Sequence, residues 1–360
     1  MKISYIILWG LFLFSQLAAC QPPKLKDFDN WQQAAQQSHS VGSLTLRGDS
    51  IQNFPLEEVL KMQNMQNLYI FYTSLTFLPA RLAELKNLER LTTSDNQFVT
   101  LPDEIGQLQK LTSLYIAENQ LQSLPASIGD LKNLKTLAIT KPAIKEKDTK
   151  PLSALPSSIG KLSKLQHLIV SLNNLTHLPN EIGNLTSLEL LLLGGERSLK
   201  AIPPTFKNLT KLKTLTLSNC VLLPESSLEI ISQLPALRWL NIYSIPFKYL
   251  PESFAQLQTL TRLNISRSSL QAFPKVVCKL AGLVELDLYC KNIRQKPPEI
   301  AQLTRLQELT IDNDGQCLKI PPEIKQLRNL RLFKLNKASL TDQQKTLLKQ
   351  WLPHTQIVYQ

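Results

Sequence analysis

The sequence has few of the residues that build catalytic centres. Histidine occurs four times in 360 residues, and glycine only 11 times. There is no glycine-rich phosphate loop and no histidine, cysteine or carboxylate spacing typical of a metal site. Only His167 is expected on the concave face of the fold inferred below, and no serine or cysteine nucleophile accompanies it. We therefore expect a protein that is not an enzyme and that uses neither a cofactor nor a metal.

The sequence also lacks a basic stripe with interleaved aromatic residues, which nucleic-acid binding on one face would need. The formal net charge is nevertheless +12. Most lysines fall in short polar turns, such as Lys86, Lys110, Lys132 and Lys161. We expect these lysines to lie on a solvated convex and edge surface, and we expect no nucleic-acid partner.

The first residues have the pattern of a targeting segment. A charged start, Met1-Lys2, precedes an apolar run over 3–14 and then Leu17-Ala18-Ala19-Cys20. The last four residues resemble the lipobox of bacterial lipoproteins. This resemblance implies that 1–19 is a signal peptide and that Cys20 becomes the acylated N-terminus, with palmitate-type chains as a stable membrane anchor. An ordinary signal peptide and an uncleaved anchor remain alternatives.

The residues after Cys20 suggest how the chain is held. Gln21 is not Asp, and by the same resemblance this implies the outer membrane of a bacterial cell envelope. Whether the protein faces the periplasm or the outside stays open. Residues 20–27 are predicted to be the lipidated cysteine and a short tether, because Pro22-Pro23 favours an extended chain.

An internal repeat dominates the rest of the sequence. Segments of 23 residues beginning at Leu88, Leu111 and Leu165 share the form LxxLxLxxNxLxxLPxxIxxLxx. The period-two part predicts a short strand with leucines inward and variable residues outward. LPxxIxxL predicts a proline-started turn or short helix. First positions of successive coils fall at Val41, Met65, Leu88, Leu111, Leu134, Leu165, Leu188, Leu212, Leu237, Leu260, Leu283, Leu306 and Leu330.

Over 41–340 this pattern resembles the leucine-rich-repeat family, in the 23-residue LPxxI subclass of Ras-suppressor-like and Scribble-like proteins. The resemblance implies an α/β, right-handed solenoid, or horseshoe. It would have a parallel concave β-sheet of about 13 short strands and short helices or 3-10 turns on its convex side. Position nine is Asn only at Asn96, Asn119 and Asn173, so we expect looser turns in the other coils.

The two ends of the array are predicted to be capped, at 28–40 and at 341–360. Asp29 is the expected N-cap of a helix over 30–37. At the other end, Thr341 and Gln344 form a capping-box pattern, and a closing strand is expected at 357–359. No catalytic domain is expected after the repeats.

One coil carries an eight-residue insertion, because Leu134 and Leu165 are 31 residues apart. The resulting loop, 141–151, should project from an edge of the solenoid, either as a binding loop or as a tolerated polar one. Cys220 and Cys317 fall at inward positions and are expected to be small core residues rather than disulfide partners. We expect a monomer.

Coil positions three, five, seven and eight should line the concave face. Between two polar and aromatic stretches the middle of this face is apolar, at Ala138, Ile169, Leu190, Leu192 and Gly194. Strands favour aromatic residues in any case, so a purely structural role stays open. The early stretch presents Asn67, Tyr69, Phe71, Tyr72 and Tyr115. The late stretch presents Trp239, Asn241, Tyr243, Arg262, Asn264, Arg267, Glu285, Asp287, Tyr289, Glu308 and Asp312.

Tyr, Trp and Arg dominate interface energetics, so we expect a recognition module that binds a protein or peptide on the late stretch. A glycan is the main alternative ligand, since aromatic rings beside Asn, Asp and Arg also suit a sugar. A passive envelope protein is a third alternative. A fourth is an injected effector, but this sequence lacks the ligase domain of the bacterial repeat proteins that it would resemble.

Overall fold

The computed structural model describes residues 25–48, 54–141, 152–290, 297–312, 318–336 and 340–359. They form a single parallel sheet of 15 strands whose spatial order is the order along the chain. The predicted α/β solenoid is confirmed. Thirteen of its strands belong to the expected repeats, one is the expected closing strand, and the first strand, at Lys26–Phe28, was not predicted. Segment 1–19, Cys20 and nearly all of the insertion lie outside the described residues, so those predictions are not examined by the structure.

The strands are short, and each pairs in parallel with the strand of the next coil. Leu114 on one strand stands beside Leu91 and Leu137 on its two neighbours. The strands are β1 Lys26–Phe28, β2 Val41–Arg47, β3 Asn67–Phe71, β4 Arg90–Ser94, β5 Ser113–Ala117, β6 Thr136–Thr140, β7 His167–Ser171, β8 Leu190–Gly194, β9 Thr214–Thr216, β10 Trp239–Asn241, β11 Arg262–Ser268, β12 Glu285–Cys290, β13 Glu308–Asp312, β14 Leu332–Asn336 and β15 Gln356–Tyr359.

Helical elements complete each coil on the opposite side. The α-helices are α1 Trp31–Gln36, α2 Leu56–Leu60, α3 Ser226–Ile231 and α4 Asp342–Trp351. The 3-10 helices are Ser38–Ser40, Ala80–Glu84, Asp103–Gln107, Ala126–Asp130, Ser157–Lys161, Asn180–Asn184, Pro204–Asn208, Glu252–Gln256, Lys275–Lys279, Pro298–Gln302 and Pro322–Gln326.

The core follows directly from the repeat. In one coil Leu111, Leu114 and Ile116 point inward from the strand and are buried, and Ile128 and Leu131 close the core from the 3-10 side. Burying each such side chain contributes roughly 1.5–3 kcal/mol relative to exposure, much of it offset by backbone entropy. Because a single coil leaves both of its faces open, the array is stable only when the coils stack.

Glycine sets the spacing of the 3-10 side in four adjacent coils, at Gly106, Gly129, Gly160 and Gly183. A Cβ added to Gly129 would lie 2.8 Å from Ser158 Cβ and closer still to the Ser158 carbonyl oxygen. The backbones of neighbouring coils therefore approach to a distance that only glycine permits.

The ends of the sheet are capped, but the first cap differs from the prediction. Asn30, not Asp29, is the N-cap of α1, and its side chain accepts a hydrogen bond from the backbone N–H of Gln33. The preceding residues form strand β1, so part of the expected tether belongs to the sheet. At the other end, the Thr341–Gln344 capping box and the closing strand β15 are confirmed.

A left-handed residue ends most of the described strands, at coil position eight. This position has a positive φ in nine of the coils, and in two of them, at Gly48 and Gly195, it is glycine. The sequence gives little sign of it, because the other residues there are chemically unrelated. They are Tyr72, Asp95, Glu118, Leu172, Asn219, Ser244 and Arg267.

At position nine, side chains tie several coils to the preceding one. Asn96 Oδ1 accepts from the backbone N–H of Thr73 at 2.9 Å, and Asn119 Oδ1 accepts from that of Phe98 at 3.1 Å. Glu196 replaces Asn and accepts from two backbone N–H groups of the preceding coil, those of Asn173 and Leu175. The expectation of a looser turn is therefore wrong for this coil, since two carboxylate oxygens satisfy two donors.

Cys220 and Cys278 are buried and free, as small core residues should be. Burial raises the pKa of both thiols above the ordinary value, which keeps them protonated and unreactive. Cys317 lies outside the described residues.

Candidate functional site

The late stretch of the concave face is built from strands β10 to β13, which pair in regular register except for a shift between Ile265 and Ser268 where β11 meets β12. Trp239, Arg262, Glu285 and Glu308 are direct neighbours across these four strands. The stack therefore places side chains that are 23 residues apart in sequence side by side, at about 4.8 Å per strand.

The guanidinium of Arg262 links the first row. Its Cζ lies 4.7 Å from the centroid of the Trp239 ring, within the range of a cation–π contact. Arg262 Nε also donates to Glu285 Oε2 at 2.6 Å. Both side chains of this ion pair keep about a third of their surface exposed, 38% for Arg262 and 34% for Glu285. The row is therefore held in place while remaining open to a partner.

A second aromatic–guanidinium pair lies beside the C-terminal ends of the same strands. Arg267 Cζ is 5.4 Å from the centroid of the Tyr243 ring. Arg267 has φ 56°, the left-handed conformation of coil position eight, and its side chain is exposed. Tyr289 and Asp312 are direct neighbours on β12 and β13, and both are half-buried.

Two of the predicted binding residues contribute to the structure of the turns. Asn241 Oδ1 accepts from the backbone N–H of Tyr243 at 3.2 Å, and Asn264 Oδ1 accepts from that of Ser266 at 2.8 Å. Asn241 is buried, so its prediction as an open contact residue is wrong. Asp287 is half-buried on the neighbouring strand β12 and stands next to Asn264.

The early stretch contains a smaller aromatic group. The rings of Tyr69 and Phe71 stack with centroids 6.1 Å apart, and Arg47 Cζ lies 5.5 Å from the Tyr72 centroid. Tyr72 is half exposed. Tyr115 is only 8% exposed, so its prediction as an open contact residue is wrong. Burial also raises the pKa of its phenol.

The middle of the concave face is less open than its composition implies. Ala138 and Gly194 are buried, whereas Ile169, Leu190 and Leu192 are half-buried. His167 is half-buried on β7, with Nδ1 3.3 Å from the Thr136 hydroxyl, and burial lowers the pKa of its imidazole. The apolar residues of the middle therefore do not form a continuous exposed surface, because Ala138 and Gly194 are buried.

Exposed apolar side chains also lie outside the concave face. Phe77, Val99, Val221, Leu222 and Tyr249 are 39–67% exposed and occupy coil positions ten to thirteen, on the flank that follows the strands. Sequence reasoning missed four of them because their positions vary between coils. It missed the fifth, Leu222, because the repeat has an inward leucine at position eleven, where Leu222 lies.

The part of the chain that the structure describes contains no group of three histidine, cysteine or carboxylate side chains that could hold a metal ion. Among the same residues, no helix is long and apolar enough to cross a membrane.

The sequence profile of the leucine-rich repeat region matches residues 42–168, 113–218 and 197–354, which together span most of the chain. The chain belongs to the leucine-rich-repeat family. Proteins with this fold are typically non-catalytic modules for protein–protein recognition.

Solved leucine-rich-repeat structures are similar over nearly the whole chain. A leucine-rich-repeat protein of Leptospira interrogans is 25% identical with a TM-score of 0.62, covering 92% of this chain and 99% of the other. An internalin of Listeria monocytogenes is 16% identical with a TM-score of 0.57, covering 90% and 88%. The ectodomain of an Arabidopsis thaliana membrane receptor kinase, in complex with Casparian strip integrity factor 2, is 21% identical with a TM-score of 0.55, covering 93% and 43%.

Proposed function

We propose that this protein is a lipid-anchored recognition protein of the bacterial cell envelope. It would belong to the 23-residue LPxxI subclass and bind a protein or peptide on the concave face of β10 to β13. The observation that carries the proposal is the Trp239–Arg262–Glu285 row, in which an aromatic ring and an ion pair are held in register and left partly exposed. Trp, Tyr and Arg in this setting are the residues that dominate binding energy.

The geometry favours a protein or peptide over a glycan. Sugar binding by stacking needs a free aromatic face, and a guanidinium group already covers one face of each of the Trp239 and Tyr243 rings. The carboxylates of Glu285, Asp287 and Glu308 lie on the adjacent strands and supply charge that a polypeptide partner can match. The complex of the plant receptor ectodomain with Casparian strip integrity factor 2 is consistent with this use of the fold.

A matched pair of double variants tests the site. Trp239→Ala with Tyr243→Ala should abolish photo-crosslinking of the partner on intact cells. The control is Phe77→Ala with Tyr249→Ala, which removes two more exposed aromatic side chains from the flank. This control should leave crosslinking unchanged, and both variants should melt within a few degrees of the parent. Crosslinking that survives the first variant, or that is lost only in the control, would place the partner elsewhere.

The anchor has a separate test. Cys20→Ser removes the only thiol that the lipobox pattern offers for acylation, so the protein should no longer incorporate labelled palmitate. It should also leave the membrane fraction if the precursor is still processed. Incorporation of palmitate at an unchanged level would contradict the lipoprotein assignment.

A further inference from the structure

Basic side chains concentrate on one edge of the solenoid. The turns that lead into β4 to β7, β9, β10, β13 and β14 carry them, so all of them lie at the N-terminal edge of the parallel sheet. At the described positions of this edge, the acidic residues are Glu89 and Glu189 alone. The basic residues, all exposed, are Lys86, Lys110, Lys132, Lys135, Lys164, Lys211, Lys213, Arg238, Arg305, Arg328 and Arg331. These are defined here as the basic edge.

The charge of the basic edge is not matched on the convex side. The described 3-10 helices that follow β3 contain six basic and eight acidic residues. Within the basic edge, Lys213 is paired with Glu189 at 2.7 Å. Others contact only neutral oxygens, as Lys110 and Lys164 do when they donate to Asn87 Oδ1 and Asn133 Oδ1 of the preceding coil. These contacts fix the lysines without neutralising them, so the positive charge stays available to a partner.

The chain enters the sheet at this same edge. Strand β1 pairs in parallel with β2, and Lys26 stands beside Val41, so Leu25 lies at the N-terminal edge. Cys20 is five residues before Leu25. Five residues of fully extended chain span at most about 18 Å, so a bilayer that holds Cys20 cannot be further than this from the start of β1.

We propose that the basic edge docks on the anionic lipid headgroups of the bilayer in which Cys20 is anchored. This inference rests on the proposed lipid anchor. The anchor supplies one point of attachment, and the strip from Lys86 to Arg238, about 30 Å long at 4.8 Å per coil, supplies a line of positive charge. An anchor and a basic surface together fix the orientation of a protein on a membrane, which an anchor alone cannot do.

This orientation has a consequence for recognition. With its N-terminal edge on the headgroups, the solenoid stands with the strand axes along the bilayer normal. The concave face then opens parallel to the membrane, and the C-terminal ends of the strands, where Arg267 and Tyr243 lie, point away from it. The Trp239–Arg262–Glu285 row therefore stays accessible to a partner in the same compartment.

The test is lysine footprinting of the full, processed chain on vesicles with an amine-reactive reagent and mass spectrometry. One set of vesicles is phosphatidylcholine, and the other contains 30% phosphatidylglycerol. Lys110, Lys135, Lys164 and Lys211 should react several-fold more slowly on the anionic vesicles only. This protection should disappear at 1 M salt, where the Debye length is about 3 Å. Lys161, Lys200, Lys207 and Lys325 lie off the edge and should react equally on both.

Two quadruple variants provide matched controls, since each removes four positive charges. With Lys110, Lys135, Lys164 and Lys211 changed to Gln, the protection of the remaining Lys86 and Lys132 should be lost. Each basic residue near an anionic surface contributes roughly fivefold to partitioning, so removing four of them should lower the edge's contribution to partitioning by roughly several hundred-fold. The same change at Lys161, Lys200, Lys207 and Lys325 should leave the footprint intact. Equal melting temperatures confirm folding.

Each outcome decides between the two proposals. Edge lysines that react equally fast on neutral and anionic vesicles, as the off-edge lysines should, would overturn the docking proposal. Failure of the chain to float with neutral vesicles would instead overturn the anchor, because neutral lipid offers the basic edge no opposite charge. In that case, protection on anionic vesicles would show that the edge binds headgroups without an anchor. If the chain neither floats with neutral vesicles nor shows protection on anionic ones, both the anchor and the docking proposal are overturned.

Discussion

The carboxyl group of Glu196 should give this protein an unusual dependence of stability on pH. Glu196 is fully buried and accepts hydrogen bonds from the backbone N–H groups of Asn173 at 3.0 Å and Leu175 at 2.8 Å. Burial raises its pKa to about 7, although the two hydrogen bonds and the nearby Lys141 ammonium act in the opposite direction. Desolvation therefore outweighs the favourable contacts.

The sign and the size of the effect follow from linkage. The folded state binds the Glu196 proton more tightly than the unfolded state, whose carboxyl has an ordinary pKa of 4.5. The free energy of unfolding should therefore fall as the pH rises from 4.5 to about 7, and this loss is complete above that range. At 1.36 kcal/mol for each pH unit in the window, Glu196 should cost about 3 kcal/mol at pH 8 relative to pH 4.5.

The assay is urea unfolding at pH 4.5 and at pH 8 for the parent protein and for Glu196→Gln. Between these pH values the parent should lose about 3 kcal/mol more unfolding free energy than the variant. Gln supplies one oxygen for two backbone donors, so at pH 4.5 the variant should be less stable than the parent by about 1–3 kcal/mol, and this deficit should disappear or reverse at pH 8. Glu181→Gln, at an exposed carboxylate, controls for the loss of one acidic group. Equal pH dependence in the parent and Glu196→Gln would refute the reasoning.

Two further predictions concern the backbone. Gly129→Ala should lower the unfolding free energy by about 1–3 kcal/mol, because the added Cβ would overlap the Ser158 backbone. The control is Gly194→Ala, whose Cβ would have its nearest neighbour at 3.4 Å, so this variant should cost far less. Equal losses in the two variants would contradict the packing argument. Ser244 has the left-handed φ of 58°, so Ser244→Gly should relieve backbone strain and stabilise the protein by up to about 1 kcal/mol. Ser266→Gly, within β11, should instead destabilise it by about 0.5–1 kcal/mol. A change of stability with the same sign in both variants would show that Ser244 is not strained.

The repeat in the sequence is sufficient to predict the coil and its inward residues, because LxxLxL fixes which side chains a strand can bury. Leu111, Leu114 and Ile116 are buried as their spacing requires. The two additional strands could not be predicted in this way. Strands β1 and β15 cap the sheet, and their sequences, KDF and QIVY, lack the leucine pattern because each of them has a neighbouring strand on one side only.

Predicting which outward residues are open is harder, because exposure depends on the neighbouring strands rather than on the coil itself. Tyr115 is buried between Thr92 on β4 and Ala138 on β6, whereas Trp239, at coil position three, keeps part of its surface open. The basic edge was missed for the same reason. Its lysines are recognisable one turn at a time, but they become a strip only when the coils stack.

The stacking also explains how a fold made of near-identical coils can carry a specific site. Most inward positions must stay apolar for the coils to stack, but an outward position contacts mainly its neighbours on the same face of the sheet. Three adjacent outward residues can therefore differ without disturbing the core, and at Trp239, Arg262 and Glu285 they fix one another. Because Arg262 is already held by a ring on one side and a carboxylate on the other, a partner that contacts it loses less side-chain entropy on binding. The specificity of this surface then depends on the order of coils along the stack.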